Sequence, residues 1–316
     1  MASRRGGEAR MQEVLESRIS GKTRLCGLIG NPVGHTLSPL IHNTLAQLTG
    51  TDLVYVPLQV EDEDSLGEAV RGAYDLNLLG MNVTVPYKSA VIPFLRDIDP
   101  SAEKIGAVNT LVRVDGGYKG YNTDCSGIGS ALNANGVCFP ADQTYGRNGL
   151  IRTDTVVMIG AGGAAKAACY MCGEKGVRRL IILNRTVEHA ARLAETVQKD
   201  FPSMAVSSMP LSKAPEIREN GFLAIQCTKA GLAPEVNETP VADRAFFQKA
   251  AAVYDVIYNP EETLFLRLAR QEGTPGWCGL DMLLQQGISA FTLWTGITPG
   301  KEQVEKVREH LWTTLY

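Results

Sequence analysis

Hydrophobic positions along this chain fall in short runs that alternate with amphipathic stretches. Leu25-Cys-Gly-Leu-Ile-Gly30 is a compact apolar run ending in a turn, and it predicts a first strand. Ser38-Pro39 follows, and Ser as N-cap with Pro at the first helical position predicts a helix through Leu40, Ile41, Leu45 and Leu48 to Gly50. Leu53-Val-Tyr-Val-Pro57 predicts a second strand and the segment after Asp64-Ser65 a second helix. A third strand is expected over Leu78–Val85, where Pro86 stops it, and Val108–Val114 with Tyr118–Tyr121 predicts a hairpin around Asp115-Gly-Gly. A further helix begins at Ser126 and reaches Leu132. The turn-rich stretch 137–154 is longer than an ordinary connection and reads as a linker or exposed insertion. A second α/β unit then opens with a strand over Thr155–Ile159, a glycine turn, a helix to Gly176 and a strand over Arg179–Leu183. Later strands are expected over Leu223–Cys227 and Ala252–Ile257, then helices over Met282–Phe291 and Gln303–Leu311. Residues 1–22 are polar and weakly periodic, which suggests a short helix or arm.

Strands alternating with helices imply mostly parallel sheets covered on both faces, hence an α/β protein. At 316 residues the chain suits one large domain or two smaller ones. The 44% apolar and 21% charged content describes an ordinary soluble globular protein. A net charge of −3 gives no reason to expect nucleic acid or an anionic membrane as partner. No apolar stretch reaches the ~18 residues that span a bilayer, and Met1–Arg10 is charged and lacks the apolar segment of a secretory signal. Seven cysteines, several inside apolar runs, suit a reducing cytoplasm. Cys169-x-x-Cys172 falls mid-helix without a partner pair and reads as core packing. The four histidines show no metal-ligand spacing, so no metal is expected.

Gly160-Ala161-Gly162-Gly163-Ala164-Ala165 sits between the apolar run Val156-Val-Met-Ile and a helical stretch. That is the dinucleotide fingerprint, with Ala in its last position. Its first glycine permits the tight turn, its second lets backbone approach a pyrophosphate, and the small third residue lets helix pack on strand. Amides at the helix N-terminus would hold the phosphates. The next strand ends at Asn184-Arg185-Thr186, where NAD-binding folds usually place a carboxylate for the ribose 2′-hydroxyl. A guanidinium there can bind a 2′-phosphate instead, which predicts NADP, with NAD as the alternative.

The other half of a hydride-transfer site is expected in the N-terminal unit. Lys88 and Asp124 are unremarkable alone, but Asn82, Thr84, Asn109, Asn122 and Thr123 accumulate with them near strand ends, where α/β sheets bind ligands. A carboxylate beside the ammonium would hold it for proton transfer. Gly30-Asn-Pro-Val-Gly-His35-Thr-Leu-Ser38-Pro, Asn82-Val-Thr-Val-Pro-Tyr-Lys88, Gly106-Ala-Val-Asn109-Thr, Asn122-Thr-Asp124, Gly160-Ala-Gly-Gly-Ala, Asn184-Arg-Thr186, Tyr254-Asp-Val-Ile-Tyr258 and Gly279-Leu-Asp-Met-Leu-Leu-Gln-Gln286 resemble the shikimate dehydrogenase family, in order, from about residue 24 to 312.

The resemblance implies a substrate domain over 23–124 plus 279–316, a Rossmann NADP domain over 125–278 and an N-terminal arm over 1–22. It implies that Lys88 and Asp124 act on the hydroxyl that becomes a carbonyl. Thr36, Ser38 and Tyr258 would hold the substrate carboxylate, and Asn82, Thr84, Asn109 and Gln286 the ring hydroxyls. Asn184, Arg185, Thr186, Thr228 and Gly279 join the glycine turn on the cofactor side. Several positions depart from the family pattern: Thr36 replaces a serine, Gln226-Cys227-Thr228 replaces Asn-Ala-Thr, and His189 stands where a second arginine is common. The implied reaction is reduction of 3-dehydroshikimate to shikimate by NADPH, in a monomer or homodimer. The alternatives are a quinate/shikimate dehydrogenase using NAD or NADP, and a non-catalytic metabolite-binding regulator of the same fold. Retention of Lys88 and Asp124 speaks against the regulator.

Overall fold

The computed structural model describes residues 19–144 and 149–316, and within them it contains two six-stranded sheets. The arm expected over residues 1–22 lies almost wholly outside the described residues.

The first sheet takes its strands from the N-terminal unit: β1 (Arg24–Gly30), β2 (Leu53–Gln59), β3 (Gly80–Val83), β4 (Asp97–Ile98), β5 (Thr110–Val114) and β6 (Gly117–Tyr121), in the order β2-β1-β3-β5-β6-β4. β1 pairs in parallel with β2 and β3, while β5 runs antiparallel to both β3 and β6. Helices α1 (Ser38–Thr49), α2 (Leu66–Asp75) and α3 (Pro100–Ile105) connect these strands. α4 (Thr123–Ala134) then leaves β6 for the second unit. The third strand is half the expected length, because the chain leaves the sheet at Thr84, where its N–H still donates to the Ile29 carbonyl.

α4 starts three residues earlier than expected. Asn122 is its N-cap, accepting from the N–H groups of Asp124 and Cys125 at 3.1 and 3.3 Å, so Asp124 stands in the first turn. The boundary expected between residues 124 and 125 falls inside this helix. α1 differs in a similar way. Ser38 is not its cap but its first residue; Leu37 precedes it, and the hydroxyl of Thr36 accepts the Ser38 N–H at 3.2 Å.

β7 (Val137–Cys138) and β8 (Ile151–Arg152) form a small parallel pair at either end of the turn-rich stretch. The second sheet follows, with β9 (Thr155–Ile159), β10 (Arg179–Asn184), β11 (Ala205–Pro210), β12 (Phe222–Gln226), β13 (Ala250–Asp255) and β14 (Gly276–Trp277). It is parallel throughout, in the order β11-β10-β9-β12-β13-β14, the dinucleotide-binding arrangement. α5 (Gly163–Glu174), α6 (Val187–Asp200), α7 (Arg244–Lys249) and α8 (Leu264–Gln271) cover it. Cys169 and Cys172 are fully buried in α5, and burial pushes both thiols up, Cys172 to about 12, so they serve as core.

The last two helices, α9 (Leu280–Thr295) and α10 (Lys301–Leu315), return to the first sheet. Leu280, Leu284, Phe291, Trp294, Val307 and Leu311 share one core with Cys26, Leu28, Ile41, Leu45 and Tyr55. Trp294 also donates from its indole to the Leu111 carbonyl at 2.9 Å.

Candidate active site

α4 follows β6 of the first sheet and packs on α5 of the second unit, so it joins the two. Lys88 follows β3 and Pro86, and its ammonium contacts Asp124 Oδ2 at 2.6 Å. The lysine side chain keeps 19% of its surface exposed and the aspartate 7%, so the pair is half-sheltered from water. Asn109 Nδ2 donates to the other carboxylate oxygen at 2.8 Å. Its own oxygen accepts from the Thr123 N–H at 2.7 Å and from the Thr110 hydroxyl at 3.0 Å. Asp124 is thus fixed from both sides, with one oxygen on the Lys88 ammonium and the other on the Asn109 amide.

Five other expected ligands are placed less openly. Asn82, buried in β3, donates through Nδ2 to the Asn109 carbonyl and to Thr110 Oγ1, both at 3.1 Å. Its oxygen accepts from the Tyr55 hydroxyl at 2.8 Å. Gln286 donates from Nε2 to the Leu283 carbonyl of its own helix at 2.8 Å. Tyr258 is half-buried just past β13, and burial raises its phenol. Thr36 donates to the Ser38 hydroxyl at 3.1 Å, so the two turn hydroxyls stand as an adjacent pair.

On the dinucleotide side Gly160 has φ +117°, and a Cβ there would stand 3.2 Å from the Cys227 carbonyl group, so only glycine makes this turn. Gly162 faces open space within 4 Å, leaving bare backbone at the start of α5, where the first amides of a helix have no partner within it. These features fit a pyrophosphate. The two halves touch here: a Cβ on Gly163 would be 3.5 Å from Cδ of Lys88.

Asn184 ends β10 and donates to the Thr186 carbonyl at 2.8 Å, while Arg185 beside it is exposed. A cavity of about 560 Å³ opens between α5, α6 and the end of α3, with Ala161, Lys166, His189, Arg192, Glu103 and Lys104 on its wall. Lys88 and Asp124 do not line it. Thr228 uses its hydroxyl to accept the Ala230 N–H at 3.2 Å, and Gln226 accepts the Thr228 N–H while donating to Ala230 at 3.1 Å. Gln226 therefore shapes the turn after β12. Gly279 caps α9 against the crossing chain: a Cβ there would meet the Val256 carbonyl oxygen at 2.1 Å. Tyr55, Lys166 and Arg192 carry no motif in the sequence, and Thr110 enters there only as the neighbour of Asn109, without a role. Tyr55 and Thr110 lie inside apolar strand runs, and nothing local marks them.

An ammonium–carboxylate pair pressed against a dinucleotide turn, on this strand order, defines a dinucleotide-dependent dehydrogenase built on two sheets. Family models for the shikimate dehydrogenase substrate binding domain, shikimate / quinate 5-dehydrogenase and the shikimate 5'-dehydrogenase C-terminal domain match residues 28–111, 145–233 and 279–307. The chain belongs to the shikimate dehydrogenase family. It is 40% identical over 283 residues to the shikimate dehydrogenase (NADP(+)) of Desulforamulus reducens, covering 89% of this chain and 93% of that one. Identity to the enzyme of the same name from Caldanaerobacter subterraneus is 41% over 292 residues, covering 92% and 99%. Shikimate 5-dehydrogenase from Listeria monocytogenes, solved with shikimate and NAD, superposes with a TM-score of 0.82 at 31% identity, covering 94% of this chain and 99% of that one.

Proposed function

We infer that this protein interconverts 3-dehydroshikimate and shikimate with NADP(H), a step toward chorismate and the aromatic amino acids. The observation that carries this reading is the Lys88–Asp124 contact at 2.6 Å, with the lysine stem against Gly163 at the start of α5. Shikimate dehydrogenases acting with NADP(+) are also the relatives that match most of the chain. When bound, NADPH supplies a hydride to the carbonyl carbon. Lys88 gives a proton to the carbonyl oxygen in reduction and takes it back in oxidation, and Asp124 holds the ammonium in place. Thr36, Ser38 and Tyr258 bind the carboxylate; Asn82, Thr84, Asn109 and Gln286 bind ring hydroxyls. The backbone of Gly160–Ala164 and α5 takes the pyrophosphate, and Asn184, Arg185 and Thr186 take the 2′-phosphate, with Thr228 and Gly279 at the nicotinamide end.

Residues 23–124 with 279–316 form the substrate side of this division and 125–278 the cofactor side. No described helix is long and apolar enough to cross a membrane. Seven free cysteines agree with a cytoplasmic setting for a monomer or homodimer. The test is absorbance at 340 nm with shikimate or quinate against NADP or NAD. Shikimate with NADP should give the highest kcat/KM. Preference for quinate, or for NAD, would overturn the assignment.

A further inference from the structure

The Tyr55 hydroxyl is the one polar group of a fully buried ring on β2, where it has no direct part in the chemistry. Its ring is held face to face by His42, with centroids 4.3 Å apart and planes 20° off parallel, and Trp294 lies behind at 5.9 Å. Orientation of this phenol is therefore set by packing on α1 and α9. The hydroxyl points at Asn82 Oδ1, 2.8 Å away.

A side-chain amide has two N–H donors and two acceptor lone pairs. Both donors of Asn82 are occupied, by the Asn109 carbonyl and Thr110 Oγ1. Tyr55 takes one lone pair of Oδ1. What Asn82 retains for a ligand is a single acceptor lone pair. Turning the amide over would set its oxygen against the Asn109 carbonyl, acceptor on acceptor, in a buried site where that mismatch is costly.

We propose that Tyr55 is a positioning residue that fixes Asn82 as a hydrogen-bond acceptor, so that Asn82 selects a substrate hydroxyl over any group unable to donate. The proposal rests on the reading that Asn82 touches the substrate. Tyr55→Phe keeps the ring and its stack on His42 and removes only the hydroxyl. It should raise KM for shikimate about 5- to 10-fold, the effect of one misplaced neutral hydrogen bond, with KM for NADP and kcat each within about twofold of wild type. Added to Asn82→Ala, it should cost nothing more. A merely structural role would shift both Michaelis constants and add to Asn82→Ala.

If Asn82→Ala raises KM for shikimate while Tyr55→Phe leaves it unchanged, the proposal falls and the reading of Asn82 stands. If neither moves KM, the reading of Asn82 falls first. Should the phenylalanine variant not fold, deoxyshikimates identify the ring position at which wild type and Asn82→Ala bind alike. There, fluorine accepts but does not donate, so the fluoro analogue should bind wild type no better than the deoxy compound. Recovery of binding by fluorine would show Asn82 presenting its NH₂ group, and would overturn the proposal.

Discussion

The two halves of the site are prepared in opposite ways. On the substrate half, buried side chains are already bonded to one another from Tyr55 through Asn82, Thr110 and Asn109 to Asp124 and Lys88. On the dinucleotide half the prepared groups are backbone: the Gly160 turn, the bare Gly162 and the start of α5, with Arg185 exposed beside them. The contrast follows from the ligands. A small polyhydroxylated molecule is distinguished by where its donors and acceptors lie, so a rigid polar network carries selectivity. A pyrophosphate offers charge, and amides at a helix end suffice to hold it. Damage to the first half should therefore appear in catalysis and in one substrate's KM, and damage to the second in cofactor preference.

The largest effect expected is from Lys88→Ala. It removes the proton donor of the proposed mechanism and leaves the Asp124 carboxylate with the Asn109 amide. Turnover should fall by about 10²–10⁴, read as kcat at saturating shikimate and NADP. Near-full activity would sink the mechanism. Folding should persist, since the neighbouring network does not pass through the lysine.

Legibility in the sequence followed the same contrast. The glycine turn, the apolar runs of β9, β10, β12 and β13 and the exposed Arg185 were plain, because backbone geometry and burial on both faces leave strong local patterns. β11 was missed because it is a sheet edge with two serines at its centre and a proline at its end, and α7 and α8 because six and eight residues give too little periodicity. In the site, Lys88 and Asp124 are marked by the Asn and Thr residues that accumulate with them near strand ends, since a lone lysine or aspartate carries no such signal. Tyr55 reads as one more aromatic in a strand; only tertiary pairing, 27 residues along, brings it to Asn82. Asn122 looked like a ligand and is a helix cap, since one residue type serves both uses.

Among the buried titratable groups, His42 on the first unit and Asp255 on the second are shifted in opposite directions. Asp255, at the end of β13, is pushed up from 3.8 to about 7 by burial, against donors from Ile257, Thr263 and Gln226. The unfolded chain loses this proton near 4 while the folded chain keeps it, so the group's contribution is full below pH 4 and is lost as pH rises through 7. His42 is driven down from 6.5 to about 3 by burial, so its contribution is present above 6.5 and lost as pH falls toward 3. Each full shift is worth on the order of 4 kcal/mol, and between pH 4 and 6.5 they oppose each other. Urea unfolding at pH 4.5 and 7.5 should show Asp255→Asn gaining stability with rising pH relative to wild type. His42→Phe should lose stability relative to wild type over the same rise. Parallel pH profiles for wild type and both variants would refute the assignment of opposite signs.

The smallest expected effect falls on the exposed dinucleotide side. Arg185 is exposed just past β10 and makes no ion pair among the described residues, so its removal disturbs no packing. Arg185→Ala should raise KM for NADP about 10-fold and leave KM for NAD within twofold, because one exposed charge on a 2′-phosphate is worth only ~1–2 kcal/mol. High salt should narrow the gap. If KM for NADP does not move, the cations that discriminate lie instead on the cavity between α5 and α6. Lys166, His189 and Arg192 line that cavity with Ala161 of the glycine turn. Arg192→Ala then becomes the deciding variant: a selective loss of NADP there would shift the phosphate from the strand end to the groove, while leaving the substrate network untouched.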